Sequence, residues 1–295
     1  MTINLNYLIK HKKKEFDDFY RLLLGGILSN DVLSKAVRYG SMNGGKRIRP
    51  FIVSVFADIA NVPKTRYLYI SSAIESIHSY SLIHDDLPSM DDDDFRRGKP
   101  SLHKKYNEAI AILAGDALHD LAYEILSNKK IHNESNIRIK LIKNLSIILG
   151  LKGLAGGQSL DLLFENKKIH NKKIIKMYSM KTSALFSFCC SSPFIIAKKS
   201  DKEIKFAEDF GNLYGLIFQI VDDIVDQTEN FKILGKTPGK DKRQGKSTFL
   251  SNTNKSKAIN YCYEEINKFI DNKKKYFNRW KILEEVLFKN IKDYS

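Results

Sequence analysis

Cysteine and proline are scarce in this chain, alternating strand patterns are scarcer, and each shortage excludes something. The three cysteines, Cys189, Cys190 and Cys262, have neither the even count of a disulfide framework nor the spacing of metal ligands. A reducing cytoplasm is the expected home. The six prolines are scattered through 295 residues, and no Gly/Ser-rich or Pro-rich linker interrupts them. A single domain over residues 1–295 is therefore expected, and at 43% hydrophobic it can bury a large core. No repeat at a fixed period stands out. The longest weakly polar stretch, Ser183 to Ala197, carries Pro193 and several serines and is shorter than the roughly 20 apolar residues of a membrane span. No transmembrane helix is expected. The basic run Lys10 to Lys14 leads into Glu15, Phe16, Asp17 and Asp18, unlike the apolar region of a signal peptide, so the mature chain is expected to begin at its first residue.

A net charge of +15 suggests nucleic acid or an acidic membrane surface as partner. Lys, Ile and Asn are enriched throughout, however, with no localised basic stripe and no aromatic residues interleaved in the basic segments, so no nucleic-acid partner is expected. Helical apolar spacing recurs along most of the chain, as in Leu141, Ile142, Leu145, Ile148 and Leu149. These patterns favour an all-α domain with its site among helices.

Two acidic clusters dominate the rest: Asp85-Asp86-Leu-Pro-Ser-Met-Asp91 and Asp222-Asp223-Ile-Val-Asp226. Carboxylates this crowded repel and would hold protons at neutral pH unless cations sat among them. Hard divalent ions such as Mg²⁺ bind one or two carboxylates together with substrate phosphates. Around the second cluster Leu213, Leu216, Ile217, Ile220 and Ile224 form one helical stripe, and Gln219, Asp222, Asp223 and Asp226 form another. An ordinary solvated helix face mixes charge signs. Leu213 to Gln227 contains no Lys or Arg. The first cluster follows an amphipathic run through Ile70, Ala73, Ile74 and Ile77. Pro88 costs about 3 kcal/mol inside a helix, so the chain must kink or loop before Asp91. Beyond it, Asp92, Asp93 and Asp94 meet Arg96, Arg97 and Lys99.

Gly44-Gly45-Lys46-Arg47-Ile48-Arg49-Pro50 joins two glycines to three cations and reads as an anion clamp, with Pro50 suited to the first turn of a helix. Lys181-Thr182, Lys236 and Lys246 add further basic candidates. Two diphosphates at roughly three negative charges each, added to six aspartates, call for about three Mg²⁺ ions and several Lys or Arg. Aspartates grip phosphate only through metal, whereas Lys and Arg bind it directly. Two differently held diphosphates are compatible with this inventory.

Taken together, the motifs resemble the trans-isoprenyl diphosphate synthase (polyprenyl synthetase) family, and within it the bacterial farnesyl diphosphate synthases. The likeness runs through Gly44 to Pro50, Ile77 to Pro88, Arg96-Arg97-Gly98-Lys99-Pro100, Ala114-Gly115-Asp116-Ala117-Leu118, Gly156-Gly157-Gln158, Lys181-Thr182 and Phe218 to Asp223. It implies an all-helical bundle around a deep central cavity, a homodimer, and Mg²⁺ held by Asp85, Asp86 and Asp91 with Asp222, Asp223 and Asp226. By the same resemblance Arg96, Lys181, Gln219, Lys236 and Lys246 face an allylic diphosphate, while Lys46, Arg49, His78 and Arg97 hold isopentenyl diphosphate. The Lys181 carbonyl, Thr182 and Gln219 would stabilise an allylic cation. Tyr80, with Ser81 beside it, lies five residues before Asp85, or about 7.5 Å along a helix, where a ring can floor the cavity. A fifteen-carbon product is expected, with geranyl or geranylgeranyl diphosphate as the alternatives.

Two positions depart from the family pattern: Ser183 stands where glycine is usual, and the usual proline is lost after Lys246-Ser247-Thr248. Among rivals, a metal-dependent phosphohydrolase wants several histidines, and the helix around Asp222 has none. A terpene cyclase leaves Lys46, Arg49 and Arg97 without a task. A noncatalytic subunit is opposed by the intact carboxylates.

Overall fold

The computed structural model describes residues 4–228 and 245–292, and helices make up nearly all of their regular structure, as the apolar spacing predicts. These residues form two compact units. The first contains residues 4–143 and 192–199, and the second 144–191, 200–228 and 245–292.

In the first unit α1 (Leu5–Ile27), α2 (Val32–Met42) and α3 (Ile48–Ala60) precede α4 (Lys64–Asp85). A two-stranded ribbon follows, β1 (Phe95–Arg96) against β2 (Lys99–Pro100), and then α5 (Leu102–Lys105) and α6 (Glu108–Ser127). The helix α4 is the centre of this unit, packed on α6, α3, α2 and α1. Every residue from Tyr67 to Ile77 is buried. Such a helix must carry small side chains where neighbours approach, and Ser72 and Ser76 solve their own polarity by donating back to Leu68 O (2.8 Å) and Ser72 O (2.9 Å). On α6, a Cβ at Gly115 would overlap the His84 ring, so glycine there lets the two helices close where α4 ends.

Arg47 is buried against α4, which the sequence reading of an anion clamp did not foresee. It caps α3 in a left-handed conformation (φ 53°) and is 3% exposed. Its Nε donates to Asp17 Oδ1 (2.8 Å), Nη2 to Ser41 O (3.0 Å), and Nη1 bonds Glu75, itself 1% exposed. Arg47 is committed to structure because Glu75 would otherwise be a buried unpaired charge. Lys46 beside it is exposed, and Pro50 lies in the first turn of α3.

The segment Ser135–Phe164 is apolar enough by length and composition to cross a membrane, unlike the Ser183 to Ala197 stretch. It is folded as two helices, α7 (Ser135–Leu149) and α8 (Leu154–Phe164), with a turn at Gly150–Gly153. In the second unit α9 (Asn171–Tyr178) runs into a π-helical stretch, Ser179–Ser183; α10 (Ala184–Ile196) follows, its last turn counted with the first unit, and α11 (Asp201–Thr228) belongs to the second. A 3₁₀ turn (Phe249–Asn252) leads to α12 (Lys255–Asn272), α13 (Lys274–Arg279) and α14 (Ile282–Lys292). Phe206 on α11 stacks on Tyr276 at 4.1 Å between ring centroids and lies near Phe269, Phe277 and Trp280. The Lys- and Tyr-rich C-terminal region thus supplies the aromatic core under α11.

Removing Arg47 leaves Glu75 buried and unpaired, so Arg47→Ala should lower unfolding free energy by about 3–5 kcal/mol. Urea denaturation followed by circular dichroism measures this, and a loss under about 1 kcal/mol would contradict a structural role.

Candidate active site

Pro88 fixes where α4 stops. The helix ends at Asp85, Asp86 caps it, and the chain turns through Leu87, Pro88, Ser89 and Met90. Two backbone bonds then fold the segment onto itself: Asp91 N–H donates to Asp85 O (2.8 Å) and Asp93 N–H to Asp86 O (3.1 Å). Asp91 is thereby brought back beside Asp85, and both are half-buried. Asp86 and Asp93 are each only 2% exposed.

Arg96 answers this buried charge. Its Nε lies 3.0 and 3.2 Å from the two Asp86 oxygens, its Nη2 bonds Asp86 Oδ1, and Nη2 is 3.8 Å from Asp93 Oδ2. Burial nonetheless lifts the Asp86 carboxyl to about 6, against the lowering pull of Arg96. The next residue, Arg97, occupies the left-handed turn of the ribbon with Gly98 (φ 54° and 74°) and sends Nη1 to Gly44 O (2.6 Å). A Cβ on Gly45 (φ 111°) would stand 2.7 Å from the Arg97 guanidinium carbon, so glycine is required for this arginine to lie over the basic loop.

Arg49 Nη1 donates to His78 Nε2 (3.3 Å). Burial pushes the His78 pKa well down, and the surrounding charges of Arg49, Arg97, Arg47 and Arg96 push it further, so the ring is neutral. Arg49, His78 and Arg97 therefore form one basic neighbourhood, with Lys46 exposed on the same loop. Two residues on, the half-buried Tyr80 ring meets His84 edge-on at 5.0 Å and His119 of α6 at 5.3 Å. Ser81 is half-buried and donates to His78 O (3.0 Å).

In the second unit the π-helical stretch carries Lys181 and Thr182. A Cβ at Gly157 would overlap the Lys181 backbone, and one at Gly215 would overlap Ser183, so glycines on α8 and α11 let this wide turn sit between them. Lys181 Nζ is 2.6 Å from Asp161 Oδ2, and Lys246 Nζ is 3.7 Å from the same oxygen. Thr182 Oγ1 donates to Gln219 Oε1 (2.7 Å), and Gln219 Nε2 donates to Asp223 Oδ1 (3.1 Å). The other Asp223 oxygen receives the Tyr178 hydroxyl, whose pKa burial raises well above its ordinary value, and the Phe249 N–H at 3.3 Å. Asp222 is exposed whereas Asp223 and Asp226 are buried, so the acidic stripe of α11 is turned partly inward. Lys236 lies outside the described residues.

Asp161 and Tyr178 were not among the residues the sequence singled out. Asp161 carried one signal, an acid in the otherwise apolar run that follows Gly156-Gly157-Gln158, and it is 6% exposed. Tyr178 carried none, since a tyrosine ending an amphipathic helix reads as core. As for Mg²⁺, the donor set fits: both acidic segments offer carboxylate oxygens only, the ligands of a hard divalent ion, and the Asp91 N–H to Asp85 O bond returns the Asp91 backbone to that of Asp85.

The Polyprenyl synthetase family profile matches residues 30–285. The farnesyl diphosphate synthase of Escherichia coli K12 is 40% identical over 222 residues, covering 75% of this chain and 74% of that protein. The geranylgeranyl diphosphate synthase of Sulfolobus acidocaldarius is 36% identical over 267 residues, covering 86% of this chain and 78% of its own. Among solved structures, a geranyltransferase of Helicobacter pylori complexed with magnesium and isoprenyl diphosphate superposes with a TM-score of 0.84 at 32% identity, covering 99% of this chain and 98% of that one.

The raised Asp86 carboxyl has a consequence for stability. Its folded value, about 6, exceeds the ordinary 3.8, so the folded chain binds more protons between those values. This contribution is fully present below about pH 4 and is lost as pH rises through about 6. Unfolding free energy of the metal-free protein, measured from pH 4 to 7, should therefore fall relative to Asp86→Asn across that window and run parallel above it. A constant difference would contradict the assignment.

Proposed function

This chain belongs to the polyprenyl synthetase family, and from that membership we propose that it is an Mg²⁺-dependent prenyltransferase making farnesyl diphosphate. It would condense isopentenyl diphosphate with dimethylallyl and then geranyl diphosphate, releasing diphosphate at each step. The observation that carries the reading is the turn after α4, where the Asp91 N–H to Asp85 O bond folds the acidic segment back on itself and Arg96 pairs with Asp86. We assign Asp85, Asp86 and Asp91, with Asp222, Asp223 and Asp226, to hold Mg²⁺, about three ions by the charge count. Bound there, Mg²⁺ would supply electrostatic stabilisation of the negative charge that grows on the departing diphosphate.

The side chains of the protein do the remaining work. Arg96, Lys181, Lys236 and Lys246 would hold the allylic diphosphate, and Lys46, Arg49, His78 and Arg97 the isopentenyl one. As the allylic carbon–oxygen bond breaks, the electron pair leaves with diphosphate and an allylic cation remains. Thr182 spends its hydroxyl proton on Gln219, so its oxygen lone pairs stay available to face that cation, together with the Lys181 carbonyl. Gln219 is oriented for this by Asp223. The isopentenyl double bond attacks, a proton passes to the released diphosphate, and the product is five carbons longer. In this reading residues 1–295 act as one isoprenyl diphosphate synthase domain whose helices keep water from the reaction.

Tyr80 sets the fifteen-carbon limit in this reading, its ring backed by His84 and His119. We further propose a homodimer in the cytoplasm. Ile112 and Leu113 on α6, 44% and 50% exposed, are apolar surface that a second copy would cover, and the three buried cysteines, none of them in a disulfide, suit a reducing compartment.

Asp85→Ala should lower kcat by about 10³-fold or more while circular dichroism and melting stay unchanged. Turnover within tenfold of the unaltered chain would overturn the metal assignment. Tyr80→Ala should shift the product from fifteen to twenty or more carbons on chromatography, and an unchanged distribution would remove Tyr80 as the floor. A wild-type product of ten or twenty carbons would instead favour the geranyl or geranylgeranyl alternative, a reading to which the Sulfolobus relative gives weight.

A further inference from the structure

Asp92, Asp94 and His103 form a donor cluster that prenyl transfer leaves unused. One oxygen of each carboxylate and a ring nitrogen of His103 lie within 4.8 Å of one another. The two aspartates are exposed, but His103, on α5, is only 8% exposed. Its Nδ1 lies 3.2 Å from Ser101 Oγ, and the Ser101 N–H is fixed on Asp94 O (2.9 Å). Its Nε2 is buried and has no hydrogen-bond partner among the described residues. A buried ring nitrogen without a partner is costly, and native structures rarely leave one unless something else fills the place.

We propose that Asp92, Asp94 and His103 bind one divalent transition-metal ion of the Mn²⁺ and Zn²⁺ class, with His103 Nε2 as the nitrogen ligand. The imidazole is what separates this site from the six aspartates assigned to Mg²⁺, because carboxylates alone suit Mg²⁺ whereas an added imidazole favours first-row transition ions. Ser101 is placed as the outer partner: accepting the Nδ1 proton, it fixes the tautomer whose lone pair is on Nε2. Lys104 Nζ lies 2.9 Å from Asp94 Oδ1, a local positive charge with which the ion would compete for that carboxylate. An ion here would tie the segment after Asp91 to α5 and hold Asp93 and Arg96 in place beside Asp86.

The test is Mn²⁺ binding to the full-length chain in excess Mg²⁺, which occupies the carboxylate-only segments, read by pulsed electron paramagnetic resonance without substrate. About one Mn²⁺ per chain with nitrogen coupling is expected, and His103→Gln should abolish the coupling. Asp92→Asn, a surface change that leaves folding intact, should weaken Mn²⁺ binding about tenfold or more. Absent nitrogen coupling in the unaltered chain, coupling retained in His103→Gln, or unchanged affinity in Asp92→Asn would each overturn the proposal. If His103→Gln does not fold, Asp92→Asn decides. Binding is read without turnover, so a failure of the prenyl-transfer reading would leave these outcomes unaffected.

Discussion

Repulsion among crowded carboxylates is the constraint from which both acidic segments take their form. In the first unit, Asp86 and Asp93 are buried together, and Arg96 is drawn onto them with a forked set of donors. In the second, Asp223 is buried on α11, where the Tyr178 hydroxyl, the Gln219 amide and the Phe249 N–H donate to it. Arg96 brings a full positive charge, yet burial still leaves Asp86 reluctant to ionise. A bound cation relieves the residual repulsion in either case, which is why the pattern points to divalent metal and phosphate.

Glycine supplies the second constraint. Gly115 lets α6 approach the end of α4, Gly45 lets Arg97 lie across the basic loop, and Gly157 and Gly215 admit the π-helical stretch that carries Lys181 and Thr182. In each case the missing Cβ places a charged or polar side chain, and none of these glycines is needed for a turn alone. The functional groups are thus set by backbone proximity, which is stiffer than side-chain packing.

Much of this was legible in the sequence for physical reasons. The acidic stripe of α11 showed because 3.6-residue periodicity survives any context and because that stretch lacks cations. The break after Asp86 showed because proline lacks the N–H a helix needs. Other features were hidden. Lys46 and Arg47 sit side by side in the same glycine loop, yet Lys46 is exposed and Arg47 is buried, a choice made by Glu75 and Asp17 in distant helices. The π-helical stretch depends on glycines of two other helices and has no local signature. Leu213 and Leu216, placed by spacing in the apolar stripe, are half-buried, whereas Phe210, near Phe277, and Tyr214, edge-on to Phe186, are buried. Family membership in turn names the chemistry that the geometry alone left open between several metal–phosphate reactions.

The central claim is that these carboxylates gather magnesium on a diphosphate so that an allylic bond can ionise. Its most direct measurement is incubation of the protein with isopentenyl and geranyl diphosphate, with Mg²⁺ or with a chelator, followed by sizing of the products. The account predicts a fifteen-carbon diphosphate with Mg²⁺ and none with the chelator. Elongation that persists without divalent metal, or no elongation in its presence, would contradict it.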